Sequence, residues 1–160
     1  MNRKIVNRIL LVLFLMALFA LGYLRDFIFI TINAQSSAAF YHDTRPVLQG
    51  LMQFTFNKGY SSLIRLKWVF TLIFYFAYLL TALCIVYLVF KERIYIHICL
   101  VLYGVLAATA FIVIMTGCLF HSFSIHTYNI ARNIMHISQS PFTVALLLAL
   151  GYYHKKNVKS

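Results

Sequence analysis

The sequence predicts an all-α integral membrane protein, a bundle of four transmembrane helices with both termini cytoplasmic. Three observations lead there. Of 160 residues, 62% are hydrophobic and only 11% charged, whereas a soluble domain carries about 25% charged residues. The apolar residues gather into runs long enough to cross a bilayer. The 14 Lys and Arg stand against 3 acids, and they lie between the runs, where cations mark cytoplasmic loops and helix ends. This pattern excludes a disordered chain, a disulfide scaffold and an ordinary soluble enzyme. It also argues against nucleic-acid binding, since the cations form no single basic face interleaved with stacking aromatics.

Span one is expected over about residues 9–32, behind Arg3, Lys4 and Arg8. Its apolar run exceeds the roughly 7–15 residues of a cleavable signal, which favours an uncleaved signal-anchor helix. An outer loop follows over 33–67, the only long hydrophilic connection. Leu48, Leu51 and Met52 fall at helical spacing after Pro46. A short interfacial helix and a loop lying over the bundle end are both open readings there. Span two, 68–90, runs from Trp68 to Phe90 without a charge. Span three covers 94–120, and the short Lys91-Glu92-Arg93 link makes the two an antiparallel hairpin.

The last span, 128–153, is compromised. Phe142 to Tyr153 is too short to cross alone, and its extension back to Tyr128 carries Asn129, Arg132, Asn133, His136, Gln139 and Ser140. Asn129, Asn133, His136 and Ser140 share one helical stripe, flanked by Arg132 and Gln139. Pro141 is expected to kink this helix or to start a new one. Three spans plus a re-entrant or interfacial last helix is the alternative. Four spans put Arg3, Lys4, Arg8, Lys91, Arg93, Lys155, Lys156 and Lys159 on one side, and the positive-inside rule makes that side cytoplasmic. The protein is therefore expected as a multi-pass protein of the cell inner membrane.

Few residues carry chemistry. Arg25 and Asp26 sit near the outer end of span one. Neighbours on a helix point about 100° apart, so they are not expected to face one another. Either both snorkel at the surface, or Asp26 pairs with Arg132. The face of Arg132, Asn133, His136, Gln139 and Ser140 is the stronger candidate, because intramembrane polar groups are functional-site hypotheses by default. It would suit an anionic head group, a proton route or a partner helix; interhelical hydrogen bonding is the plainer reading. His121 and His126 are five apart, which is not the helical spacing of paired metal ligands. No carboxylate lies near them, so neither a metal nor a cofactor is expected. Cys118, His121, His126 and Arg132 could converge as thiol, base and cation, but no motif surrounds them. With three acids in the chain, paired-carboxylate catalysis is hard to build.

Three segments carry a resemblance: LRDFIFITINAQ closing span one, LKWVFTLIFYFAYLL opening span two, and ARNIMHISQSPFTVALLLAL in the last helix. They resemble small four-helix membrane proteins of Bacteroidetes-type bacteria, among them exosortase-system-associated membrane proteins. The resemblance implies an accessory inner-membrane component rather than the transpeptidase, and it assigns no catalytic residue. The expected function is thus a non-enzymatic accessory or assembly subunit of a larger envelope complex. Membrane lipids and other membrane subunits are its expected partners. The alternative is a small membrane enzyme or lipid-handling protein using Arg132 and His136.

Overall fold

The computed structural model describes residues 3–41, 59–119 and 124–158. Among these it forms five helices and no strand: α1 Arg3–Phe40, α2 Tyr60–Phe90, α3 Arg93–Leu119, α4 Ser124–Ser138 and α5 Pro141–Val158. Helices α1, α2 and α3 are each long and apolar enough to cross a membrane, and the bent pair α4–α5 qualifies only when its two parts are taken together. The expected interfacial helix after Pro46 falls outside the described residues.

Helices outrun the apolar runs at the 33–67 connection. Helix α1 continues past Ile32 to Phe40, and α2 begins at Tyr60 rather than Trp68. The physical reason is that an apolar run measures the hydrocarbon slab, not the helix. The segment NAQSSAAF contains alanines and a glutamine that favour helix, and its Asn33 and Ser37 are exposed while Gln35 is buried against the bundle. Parts of the expected outer loop are therefore helical extensions.

Helices α1 and α2 are antiparallel. Phe40 meets Tyr60 at 5.6 Å between ring centroids, Lys67 reaches Asn33, and the Tyr78 hydroxyl lies against Gly22. At the other end of α2 a tight turn leads into α3. Lys91 takes the left-handed conformation, φ 60°, and its N–H donates to the Tyr87 carbonyl. The returning helix is tied by Tyr75, whose hydroxyl donates to the Tyr103 carbonyl at 2.9 Å. Helices α3 and α4 approach closely where Gly117 faces Thr127, with no room for a Cβ, as small residues permit in membranes.

Helix α2 is the hub and touches every other helix. The core around it is aromatic and branched: Leu18, Tyr78, Ile85, Phe90, Tyr103 and Val144 are buried together. Large apolar side chains such as Phe19, Phe76, Phe111 and Phe142 point outward, as suits a surface that faces lipid. Helix α5 returns to the α2–α3 turn. Gly151 packs on the Phe90 ring, His154 meets Tyr95, and Lys155 pairs with Glu92 at 3.2 Å. The described start of α1 and end of α5 thus lie at the same end of the bundle as that turn.

Candidate functional site

The site begins with one proline. In a continuous helix the Ile137 carbonyl would accept from the N–H of residue 141, but Pro141 has none and its ring crowds that carbonyl. The chain bends by 57° between α4 and α5. The released carbonyl is taken up locally: it accepts from the Ser140 N–H at 3.2 Å, from the Ser140 hydroxyl at 2.8 Å and from the Thr143 hydroxyl at 2.5 Å. Ser138 similarly caps the Met135 carbonyl at 2.8 Å. A backbone break at membrane depth is tolerated when hydroxyls re-satisfy it in this way.

The bend turns Gln139 inward, where it is 2% exposed. Its amide donates to the Thr71 carbonyl on α2 at 2.8 Å, and its Oε1 accepts from Arg25 Nε on α1 at 3.0 Å. Gln139 therefore ties three chain segments through one side chain. Arg25 is only 9% exposed. Its Nη1 lies 3.3 Å from Asp26 Oδ1 and 3.3 Å from His136 Nε2, and its guanidinium stands 5.7 Å from the centre of the Phe29 ring. A guanidinium in hydrocarbon costs about 2.5–3.5 kcal/mol on insertion scales, and these contacts offset that cost.

Two expectations about this pair are corrected. Arg25 does not snorkel; it is buried and hydrogen-bonded across the bundle. Asp26 pairs with adjacent Arg25 rather than with Arg132. The helical angle between neighbours fixes only where their Cβ atoms start, and the long arginine side chain curls back across it. Asp26 itself remains largely open, with 62% of its side chain exposed.

These groups border a cavity of about 430 Å³ between α1, α2 and α4, closed on one side by Ile114 of α3. Arg25, Asp26, Arg132, Asn133, His136 and Gln139 all line it. Ser140 does not, because its hydroxyl is spent on its own helix; the bend interrupts the stripe before reaching it. Sequence reasoning about this site missed Asn33, Lys67, Trp68, Thr71 and Tyr128, which complete the wall. Lys67 and Trp68 look like ordinary span-end anchors in the sequence, and only their juxtaposition with Tyr128 makes them part of a site. Trp68 meets the Tyr128 ring edge-on at 6.1 Å, and Lys67 Nζ lies 6.0 Å from the centre of that ring. An outer hollow of about 730 Å³ adjoins and shares Asn33, Lys67, Trp68 and Tyr128.

The charges around the cavity are unequal: Arg25, Lys67 and Arg132 against Asp26 alone. Asp26 is engaged by Arg25. Lys67 donates to the neutral Asn33 Oδ1 at 2.7 Å. Arg132 is exposed and makes no hydrogen bond or ion pair with a described residue. Among the described residues, Lys67 and Arg132 therefore have no acidic partner. Among the described residues no group of three or more His, Cys, Asp or Glu is placed to hold a metal. Cys84 is half-buried and Cys99 buried, both as free thiols. The side chains of Cys118, His121 and His126, the other expected cluster, lie outside the described residues. Comparisons with family models, curated proteins and solved structures find no match to this chain.

Proposed function

We propose that the protein is a four-span membrane protein of the bacterial inner membrane, both termini cytoplasmic, which serves as a non-enzymatic accessory or assembly subunit of a larger envelope complex. The cavity between α1, α2 and α4 is its recognition site. The observation that carries the reading is the meeting of cations from three helices around one cavity of ligand size at the break in the last span. Their only carboxylate is occupied by Arg25, which suits holding an anionic group better than transforming one. The sequence resemblance to exosortase-system-associated membrane proteins supports the accessory role. The cations at the end that holds the described start of α1 and end of α5, among them Arg8, Lys91, Arg93, Lys155 and Lys156, support the orientation.

Purification in mild detergent tests the role. A larger membrane protein should co-purify, and Arg132→Ala should reduce its recovery; a stable monomer with no companion counts against the reading. Orientation is tested by impermeant maleimide: Glu92→Cys should label only from the cytoplasmic side and Ser36→Cys only from outside. A second reading, a lipid-handling enzyme, draws on the approach of His136 to Arg25 within the cavity. In that case Arg132→Ala and His136→Ala would abolish a lipid modification while leaving assembly intact.

A further inference from the structure

We propose that the α1–α2–α4 cavity binds the phosphate head of a membrane amphiphile, a phosphate monoester or a diphosphate, with Arg132 and Lys67 touching its oxygens. This rests on the cavity being a recognition site, but not on the accessory role.

Charge comes first. With Arg25 and Asp26 paired, the described lining residues leave two positive charges, carried by Lys67 of α2 and Arg132 of α4. A carboxylate or a phosphodiester brings one negative charge. A phosphate monoester brings about 1.5–2 at neutral pH, with three strong acceptor oxygens. The planar guanidinium of Arg132 can grip two oxygens at once, and the Lys67 ammonium acts as a point charge on another. Arg25 is not free to move to a ligand: Gln139, Asp26 and His136 hold it in the wall, where it adds positive potential.

Shape and polarity argue for an amphiphile. The cavity carries Phe29, Ile30, Ile114 and Met135 beside its polar groups. A volume of about 430 Å³ accommodates a head group and the first few carbons, so longer chains would leave between helices into lipid. Trp68 and Tyr128 stand at the entrance shared with the outer hollow, the kind of position that amphipathic rings take at a membrane–water interface. Asn33, Ser36 and Ser37 extend that hollow with polar groups beyond the hydrocarbon.

Trp68 is the chain's one tryptophan, so its emission reports on the cavity without a label. The full-length protein in an uncharged detergent is titrated with dioctanoyl phosphatidic acid, dioctanoyl phosphatidylglycerol, dioctanoylglycerol and inorganic phosphate. Phosphatidic acid should change the emission saturably at micromolar concentration. Phosphatidylglycerol, with one charge fewer, should bind about tenfold more weakly, and the diacylglycerol should not compete. Lys67→Ala with Arg132→Ala should weaken binding about a hundredfold, while Arg132→Lys, which keeps the charge but loses the two-oxygen grip, should weaken it by less than that. Neither replaced side chain is buried, and unchanged circular dichroism verifies the fold of the variant. In the unaltered protein, added salt should weaken binding. Equal binding of diacylglycerol, no saturable response to phosphatidic acid, or indifference to both salt and the double substitution overturns the proposal. Saturation by inorganic phosphate at the same concentrations upholds the oxyanion site but overturns its assignment to an amphiphile. Because the isolated protein is used, failure here leaves co-purification with a partner as a separate result.

Discussion

The two ends of the bundle are closed by different physics. At the end holding the α2–α3 turn, Phe90 stacks on Tyr95 with centroids 4.3 Å apart, and Gly151 lets α5 lie directly on the Phe90 ring. Contact there is aromatic and close, with the exposed Lys155–Glu92 ion pair beside it. At the opposite end the helices are held apart by hydrogen bonds: Arg25 to Gln139, Gln139 to Thr71, Lys67 to Asn33. Lipid tails are as apolar as leucine, so packing and hydrogen bonding, not hydrophobic expulsion, must join helices in a bilayer. Packing leaves no space between the elements it joins. A hydrogen-bonded truss of long side chains does, and the cavity is found where the truss is.

The largest effect is expected at the aromatic end. Phe90→Ala should cost about 3 kcal/mol or more, because it removes the ring against which α3 and α5 both pack; unfolding in mixed micelles of increasing SDS, followed by circular dichroism, measures this. Next is Gln139→Leu, which strips buried Arg25 of an acceptor and the Thr71 carbonyl of a donor. It should cost about 1.5–3 kcal/mol and also change Trp68 emission, a response Phe90→Ala lacks while the protein remains folded. Gly151→Ala comes third. Its Cβ would stand 2.6 Å from a Phe90 ring atom, so the ring must shift, at about 1 kcal/mol or more by the same assay. The smallest effect has the opposite sign. The Tyr78 hydroxyl is buried with no hydrogen-bond partner among the described residues, so Tyr78→Phe should be neutral or stabilising by up to about 1 kcal/mol. A loss of more than that would mean that this hydroxyl belongs to the truss.

The two ends also differ in how far they could be read in advance. Spans two and three are plain in the sequence because uninterrupted apolar runs map directly onto helices: α3, Arg93–Leu119, lies within a residue of span three at each end, and α2 adds about two turns, 60–67, ahead of Trp68. The break at Pro141 is legible because a proline's missing N–H acts locally. The truss is not. That Arg25 would reach Gln139, 114 residues away, depends on how α4 lies across α1 and α2, and no local pattern encodes that crossing. The choice of partner for Asp26 was hidden for another reason: side-chain length outweighs the angular spacing of Cβ atoms. Lys67 and Trp68 show the same limit, since an anchor at a span end and a ligand group in a cavity have identical local signatures.

The turn residue Lys91 does two jobs that conflict. Its left-handed backbone, φ 60°, suits glycine, and for a residue with a side chain it costs about 1–2 kcal/mol. Glycine there would relax the turn and yet remove a cation from the two-residue connection between α2 and α3. Short loops are where cationic charge most strongly directs which way a hairpin enters the bilayer. On the orientation proposed above, a lysine at this position would serve the chain's insertion at some cost in folded stability. Lys91→Gly should raise resistance to unfolding while increasing the fraction of newly made chains that adopt the inverted topology.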